Sequence, residues 1–452
     1  MPAKLVEVMW PALVANKILH KRLGSRNFVA DYQSYTDPLL GITSDDQLSI
    51  TTNSILNDHR DTEKYKVFVS TWNIGGIAPD EGLNIEDLLE TCSKSFDIYV
   101  FGFQEIVPLK ASNVLGSEDN KISTKWNSLI REALNKRTHH YCCKDIESDD
   151  DGDGDNIKQK LKGNIPGQQC KSAPQDFHCI ISKQMVGIMI SVWVRSDLSP
   201  FIRHPCVSCV GCGIMGCLGN KGSVSVRFLL HETSFCFVCS HLASGGKEGD
   251  EKHRNSNVAE IFSRTSFPKG TLLDLPRKIL DHDHVILLGD LNYRISMPEE
   301  TTRLLVEKRD WDSLLENDQL KMELVNGHIL RGWHEGTIKF APTYKYFPNS
   351  DLYYGCCYHG SKKAAKKRSP AWCDRVIWFG NGLKQIEYSR SESKLSDHRP
   401  VKALFTAEVK VSSSFKNLSS LFMSERFEQI KNVFQVSPNH EFACKKQSSF
   451  RL

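Results

Sequence analysis

Ile286-Leu287-Leu288-Gly289-Asp290-Leu291-Asn292-Tyr293-Arg294 is an apolar run that breaks at a glycine and leaves a carboxylate and an amide behind it. A short apolar run bounded by turn chemistry reads as a buried strand, which puts Asp290 and Asn292 at a strand exit. Ser369-Pro370-Ala371-Trp372-Cys373-Asp374-Arg375-Val376 is the complementary case, with Asp374 just ahead of another apolar run. The same placement recurs outward from these two stretches. Asn73, Glu105 and His241 follow strand-like runs, and Asp397-His398 precedes one. In an antiparallel pair the exit of one strand lies beside the entry of the next. These positions are therefore expected to converge on one edge.

Strands are expected at 65–70, 96–103, 177–182, 186–194, 222–230, 234–240, 285–288, 376–379 and 401–405. Val224, Val226 and Phe228 alternate with Ser225 and Arg227, as in antiparallel strands with one wet face. Trp126, Leu129, Ile130 and Leu134 recur at helical spacing within 124–137, and 253–264, 298–308 and 311–324 also read as helices. Strands outnumber helices and pair mostly with chain neighbours, which favours two packed sheets with helices outside them. Residues 1–62 read as an N-terminal extension, 63–410 as a catalytic body carrying a charged insertion over 142–175, and 411–452 as a Ser-rich tail. In the extension, Val6, Met9, Leu13 and Ile18 with Lys17, His20, Lys21 and Arg22 outline a basic amphipathic helix. It could rest on an anionic membrane or pack against the main body.

The 452 residues carry a net charge of only +4, so no global field argues for nucleic acid. No secretory signal or stretch of transmembrane length is evident, and the 15 cysteines are read as reduced thiols of a cytoplasmic protein. Cys206, Cys209, Cys212 and Cys217 suggest a metal array at first sight, but no second CxxC pair accompanies them. A loop of small residues is the expectation there. Asp149, Asp151, Asp153 and Gly154 begin like a calcium loop, yet Lys160 stands where the closing Glu is required. That stretch reads as a solvated insertion.

The strand-end residues suit a hard divalent cation, an activated water and a phosphate ester. Magnesium takes few protein oxygens and keeps water and phosphate in its shell, and Glu105 with Asn73 is the candidate pair. Asp290 could orient and deprotonate water while the Asn292 amide holds a phosphoryl oxygen. A protonated His398 would stabilise charge on the phosphoryl oxygens, with Asp374 holding the imidazolium and His241 as a further donor. Asp397 and His398 are neighbours and are expected to have separate roles. Tyr344-Lys345, with Lys366, Arg368 and Arg375 around the Pro370-Ala371-Trp372 turn, would grip further phosphates.

With these residues in view, the chain resembles the inositol polyphosphate 5-phosphatases, most closely their plant type I branch, over residues 64 to 408. The two hallmark segments are RSPAWCDRV (Arg368 to Val376) and ILLGDLNYR (Ile286 to Arg294), the latter with Leu287 where many members carry Trp. The resemblance implies a DNase I-like α/β fold: a four-layer sandwich, with two mixed sheets face to face and helices on both outer faces. It also implies magnesium-dependent removal of the 5-phosphate from a phosphoinositide or a soluble inositol polyphosphate. By motif, Asn73 and Glu105 resemble the magnesium site, with Asp397 close to it. Asp290 resembles the water-activating residue and Asn292 its partner. His241 and His398 resemble the oxyanion stabilisers and Asp374 the residue orienting His398. Tyr344, Lys345, Lys366 and Arg368 resemble the 4-phosphate grip. Peripheral membrane contact is compatible with this reading, and no nucleic acid or obligate protein partner is expected. The rival readings are a nuclease of the same fold and a catalytically inactive phosphoinositide-binding module.

Overall fold

The computed structural model describes residues 27–31 and 60–412, apart from 81–82, 84, 90–95, 117, 145–175, 270–274, 328 and 356–367. Of these, 27–31 with 64–409 belong to one compact unit and 60–63 with 410–412 to a second. The amphipathic segment from Val6 to Arg22, the aspartate-rich stretch, Lys366 and the tail from 413 onward lie outside the described residues. No described helix is long and apolar enough to cross a membrane.

Among the described residues, twelve strands make two six-stranded sheets. The first has the order β11(Leu383–Arg390), β12(Val401–Ser412), β1(Arg60–Asn73), β2(Ile98–Gln104), β4(Ile188–Arg195), β3(Phe177–Met185). The second runs β5(Ile202–Gly211), β6(Gly222–Leu230), β7(Thr233–His241), β8(His284–Asp290), β10(Asp374–Phe379), β9(His334–Glu335). β1 with β2 and β7 with β8 are parallel pairs, while β2–β4, β3–β4, β5–β6, β6–β7, β8–β10, β9–β10 and β11–β12 are antiparallel.

Side chains alternate across a strand, and this parity sorts the core into layers. Phe68, Trp72, Tyr99, Phe101 and Phe103 face outward onto Trp126, Ile130 and Leu134 of the helix Lys121–Lys144. Cys236, Val238, Val285, Leu287 and Ile377 face outward onto Val258 and Ile261 of the helix Asp250–Arg264. Residues of the opposite parity meet between the sheets. A Cβ on Gly102 of β2 would come within 2.7 Å of Leu288 Cδ1 and 2.9 Å of Cys239 Sγ on the second sheet. Helix, sheet, sheet and helix make the four-layer sandwich that was expected.

The local reading departs from the structure in three places. Cys206 and Cys209 lie on β5, which the sequence hid behind Arg203-His204-Pro205 and a run of small residues; a register shift between Arg203 and Cys206 absorbs that interruption. β11 was also not foreseen: as an edge strand with most of its side chains half-exposed, it carries little apolar signal. The helix expected over 311–324 is two helices, Trp311–Leu315 and Gln319–Asn326. Asp310 caps the first through Ser313 N at 3.2 Å, and Asp318 caps the second through Lys321 N at 2.9 Å. Within the segment read as an extension, Val29 pairs with Ser182 of β3 through hydrogen bonds of 2.9 and 2.7 Å.

Arg375 is a correction of function as well as of structure. Asp374 points between the sheets, so its neighbour Arg375 must point to the opposite face. There the guanidinium is fully buried, bound to Asp318 at 2.9 Å and to Glu335 at 2.5 Å. Tyr388 Oη donates to the same Glu335 at 3.0 Å and accepts from Val376 N at 3.0 Å. Arg375 is thereby a clamp between β10, β9 and the cap of the helix Gln319–Asn326, and its donors are turned away from any substrate. Removing one partner of such a buried ion pair costs about 3–5 kcal/mol. Arg375→Met should show a loss of that order in urea unfolding, with an unchanged KM in the folded fraction. A raised KM at wild-type stability would return Arg375 to the substrate set.

Candidate active site

Register sets out the first row of the site. His241 is paired with Asp290 across β7 and β8, and Asp290 with Asp374 across β8 and β10. The same parity that buries Leu288 between the sheets points all three inward at the rim. Gly289, just before Asp290, has φ +151°, and a Cβ there would lie 1.9 Å from Ser240 O, so only glycine lets β7 and β8 approach this closely. The facing sheet contributes Asn73 at the end of β1, whose Nδ2 donates to Asp290 Oδ2 at 2.9 Å. Trp72 Nε1 donates to His398 O at 3.3 Å and Ser396 Oγ to Asn73 O at 2.6 Å, fastening the His398 loop to the same rim.

Glu105 follows β2 with φ +54° and Asn292 follows β8 with φ +57°. Left-handed backbone is uncommon outside glycine, most tolerated by Asn, and clusters where geometry serves a site. Glu105 Oε1 lies 3.8 Å from His241 Nε2, and His241 Nε2 lies 3.2 Å from Asp290 Oδ2. Lys221 Nζ contacts the same nitrogen. Burial pushes the Lys221 ammonium down to about 8 against the pull of Asp290 and Glu105. Burial and Lys221 lower the His241 pKa, opposed by Asp290. Burial also works against the charge of Asp290, yet the His241 hydrogen bond and the positive field of His398 and Lys221 hold its carboxyl far below the usual range. Asp290 is therefore an ionised carboxylate.

His398 Nδ1 lies 2.8 Å from Asp374 Oδ2, which also accepts from Thr343 Oγ1 at 2.7 Å. Burial alone would strip the imidazole of its proton, but Asp374, Asp290 and Asp397 raise it to about 9. Burial likewise raises Asp374, with His398 opposing. The pair retains a proton across the neutral range. Asp290, Asp374 and His398 hold ligand-type atoms within 4.8 Å of one another. An imidazolium has no lone pair to give a metal, so in its protonated form His398 is a hydrogen-bond donor and not a ligand. Glu105, with a side chain 29% exposed, offers carboxylate oxygens and Asn73 an amide oxygen, which accepts from Gly75 N at 3.0 Å while its Nδ2 faces Asp290. That donor set fits a hard divalent cation rather than a thiolate-loving one.

The proposed phosphate grip lies next to this row. Tyr344 makes isolated bridges to Ala371 and His398, and its ring centroid is 4.7 Å from that of His398. Lys345 pairs with Asp397, whose carboxyl is lowered by His398 and Lys345 despite burial. Arg368 is half-buried and close enough to act on the Tyr344 hydroxyl electrostatically. Asn73, Glu105, His241, Asp290, Asn292, Asp374, Asp397 and His398 thus share one rim, while Arg375 does not. Sequence reasoning gave no role to three residues that touch this machinery. Thr343 and Arg294 are short-range neighbours of quoted motifs, and Lys221 lies in the Asn220-Lys221-Gly222 turn opening β6.

Residues 70–404 match the Endonuclease/Exonuclease/phosphatase family 2. The chain is 64% identical over 423 residues, 93% of its length and 96% of the relative's, to the type IV inositol polyphosphate 5-phosphatase 9 of Arabidopsis thaliana. It is 47% identical over 418 residues, 88% of its length and 86% of the relative's, to the type I inositol polyphosphate 5-phosphatase 8 of the same plant. Both type names therefore occur among its relatives. Among solved structures it is similar to the inositol polyphosphate 5-phosphatase domain of SPsynaptojanin in complex with inositol (1,4)-bisphosphate and calcium ion. That likeness has 27% identity and a TM-score of 0.62 and covers 83% of this chain and 94% of the other. On these grounds the chain belongs to the inositol polyphosphate 5-phosphatases, phosphoric monoester hydrolases of the endonuclease/exonuclease/phosphatase family.

Proposed function

We propose that this chain is a magnesium-dependent phosphatase that removes the 5-phosphate of phosphoinositides or soluble inositol polyphosphates by in-line attack of water. The observation that carries the reading is the buried row His241, Asp290, Asp374 and His398, in which an ionised carboxylate stands beside a pair that keeps its proton. Phosphate monoester hydrolysis is among the slowest uncatalysed reactions, and its catalysis rests mainly on alignment and charge stabilisation. Glu105 and Asn73 would hold magnesium, which when bound would neutralise charge on the scissile phosphate. Asp290 accepts the proton of the attacking water, with His241 and Asn73 fixing its carboxylate. His398 donates to a phosphoryl oxygen from the ring edge opposite Asp374, and Asn292 offers an amide N–H. Tyr344, Lys345, Arg368 and Lys366 would hold the neighbouring 4-phosphate.

Phosphate release across a panel of soluble and lipid substrates tests this reading. We expect release that stops in excess EDTA, returns with magnesium, and falls about 10³-fold in Asp290→Asn, the range for losing a general base. Plasmid nicking without phosphate release would favour the nuclease. Ligand binding without turnover would favour the inactive module.

The His398–Asp374 pair sets a pH limit. The imidazole pKa is raised in the fold, so the proton is present below about 9 and is lost as pH rises through that value. Asp374→Asn removes the main charge opposing burial, so the alkaline limb of kcat should move to lower pH and the maximum rate should fall about 10²-fold. An unmoved limb would remove Asp374 from its orienting role. Lys345→Ala should raise KM for substrates carrying a 4-phosphate and leave those without it unchanged; an equal rise on both would assign Lys345 elsewhere.

A further inference from the structure

Arg294 is 9% exposed and stands where two parts of the site meet. Its Nη2 donates to Asn292 Oδ1 at 2.7 Å, and its Nε donates to the Asn292 main-chain oxygen at 3.1 Å. A guanidinium has donors only, so the Asn292 amide must turn its oxygen toward Arg294. The amide nitrogen then donates to Leu242 O at 3.1 Å and keeps one N–H uncommitted by that bond. The left-handed backbone at Asn292 and this pair of bonds leave the side chain a single orientation. On its other side the guanidinium lies 4.5 Å from the Tyr344 ring centroid, a cation–π distance. The Tyr344 ring also packs against the His398 imidazole and has Lys345 Nζ 5.5 Å from its centroid. One planar cation thus joins the amide at the reacting centre to the ring beside the second-phosphate grip.

We infer that Arg294 is a positioning and specificity-determining residue. It fixes the Asn292 amide and seats Tyr344, so that a phosphate held next to the scissile one raises turnover as well as affinity. The inference rests on the roles proposed for Asn292 and Tyr344. Arg294 itself need not touch substrate. Lysine cannot replace it: an ammonium is a point charge that cannot bond both Asn292 oxygens in a fixed fork while keeping its place over an aromatic ring.

The test compares wild type, Arg294→Lys and Arg294→Gln on inositol 1,4,5-trisphosphate and on inositol 1,5-bisphosphate, which lacks the neighbouring phosphate. Melting temperature and titrated active fraction correct for misfolded molecules. In Arg294→Lys, kcat on the trisphosphate should fall about 10²-fold, the scale for misplaced reacting groups, with a much smaller change in KM. The rate advantage of the trisphosphate over the bisphosphate should collapse in both variants. Unchanged kcat, or losses equal on the two substrates with the wild-type preference kept, would overturn the inference and make Arg294 a packing residue. Where wild type hydrolyses neither soluble substrate, the same comparison is made on phosphatidylinositol 4,5-bisphosphate and phosphatidylinositol 5-phosphate; release from none of the four would defeat the functional reading, and this inference would fall with it.

Discussion

The carboxylate of Asp290 is a buried negative charge, 2% exposed, at the rim where the two sheets face each other. An unpaired ion in such a place costs several kcal/mol, so the chain must bring partners to it from far apart in sequence. Asn73 arrives from one sheet and His241 from the other, and Asn292 N closes on Oδ1 at 3.1 Å. The His241 contact needs β7 and β8 in register, and the Asn73 contact needs the two sheets face to face. Folding and assembly of the site are consequently one event, and a slip of one residue in β8 would turn Asp290 outward onto the helix layer.

A second constraint follows from the first. Asp290 and Asp374 are direct partners across β8 and β10, an arrangement of like charges that ordinarily destabilises a sheet. His398 resolves it. Its imidazolium pairs with Asp374 and also acts on Asp290, so the protonated ring neutralises a contact the strand pairing would otherwise penalise. Its Nδ1 is taken up by Asp374, which leaves the Nε2 edge for the role proposed for it at a phosphoryl oxygen. Thr343 supplies a neutral donor to Asp374 from outside both strands, which limits the freedom of that carboxylate without removing its charge.

Much of this was legible because strand ends concentrate polar residues and apolar runs reveal strands. Asp290, Glu105, His241 and Asp374 could be placed on one edge from position alone. Apolar runs were silent where β5 carried Arg203, His204 and small residues, and where β11 lay half-exposed at an edge. They were equally silent about Lys221 and Thr343, which reach the site through turns and loops whose geometry no periodicity encodes. Arg375 was misread despite an available signal. A residue immediately after an inward carboxylate on a strand faces the other way, and applying that alternation would have removed it from the substrate set.

Arg294 and Arg375 make the contrast concrete. Each follows a carboxylate proposed for catalysis, each is buried, and each sits in a segment that identifies the family, but Arg375 is one residue after Asp374 and Arg294 four after Asp290. What separates them is the chain between. Arg375 lies within the regular alternation of β10 and is carried to the helix layer, where two carboxylates consume its donors. Arg294 comes four residues after Asp290, beyond the end of β8 and the left-handed turn at Asn292, and its guanidinium bonds Asn292 beside the site. An odd step along a regular strand carries one arginine into the scaffold, and an even step past a strand end leaves the other beside the residues proposed for the chemistry.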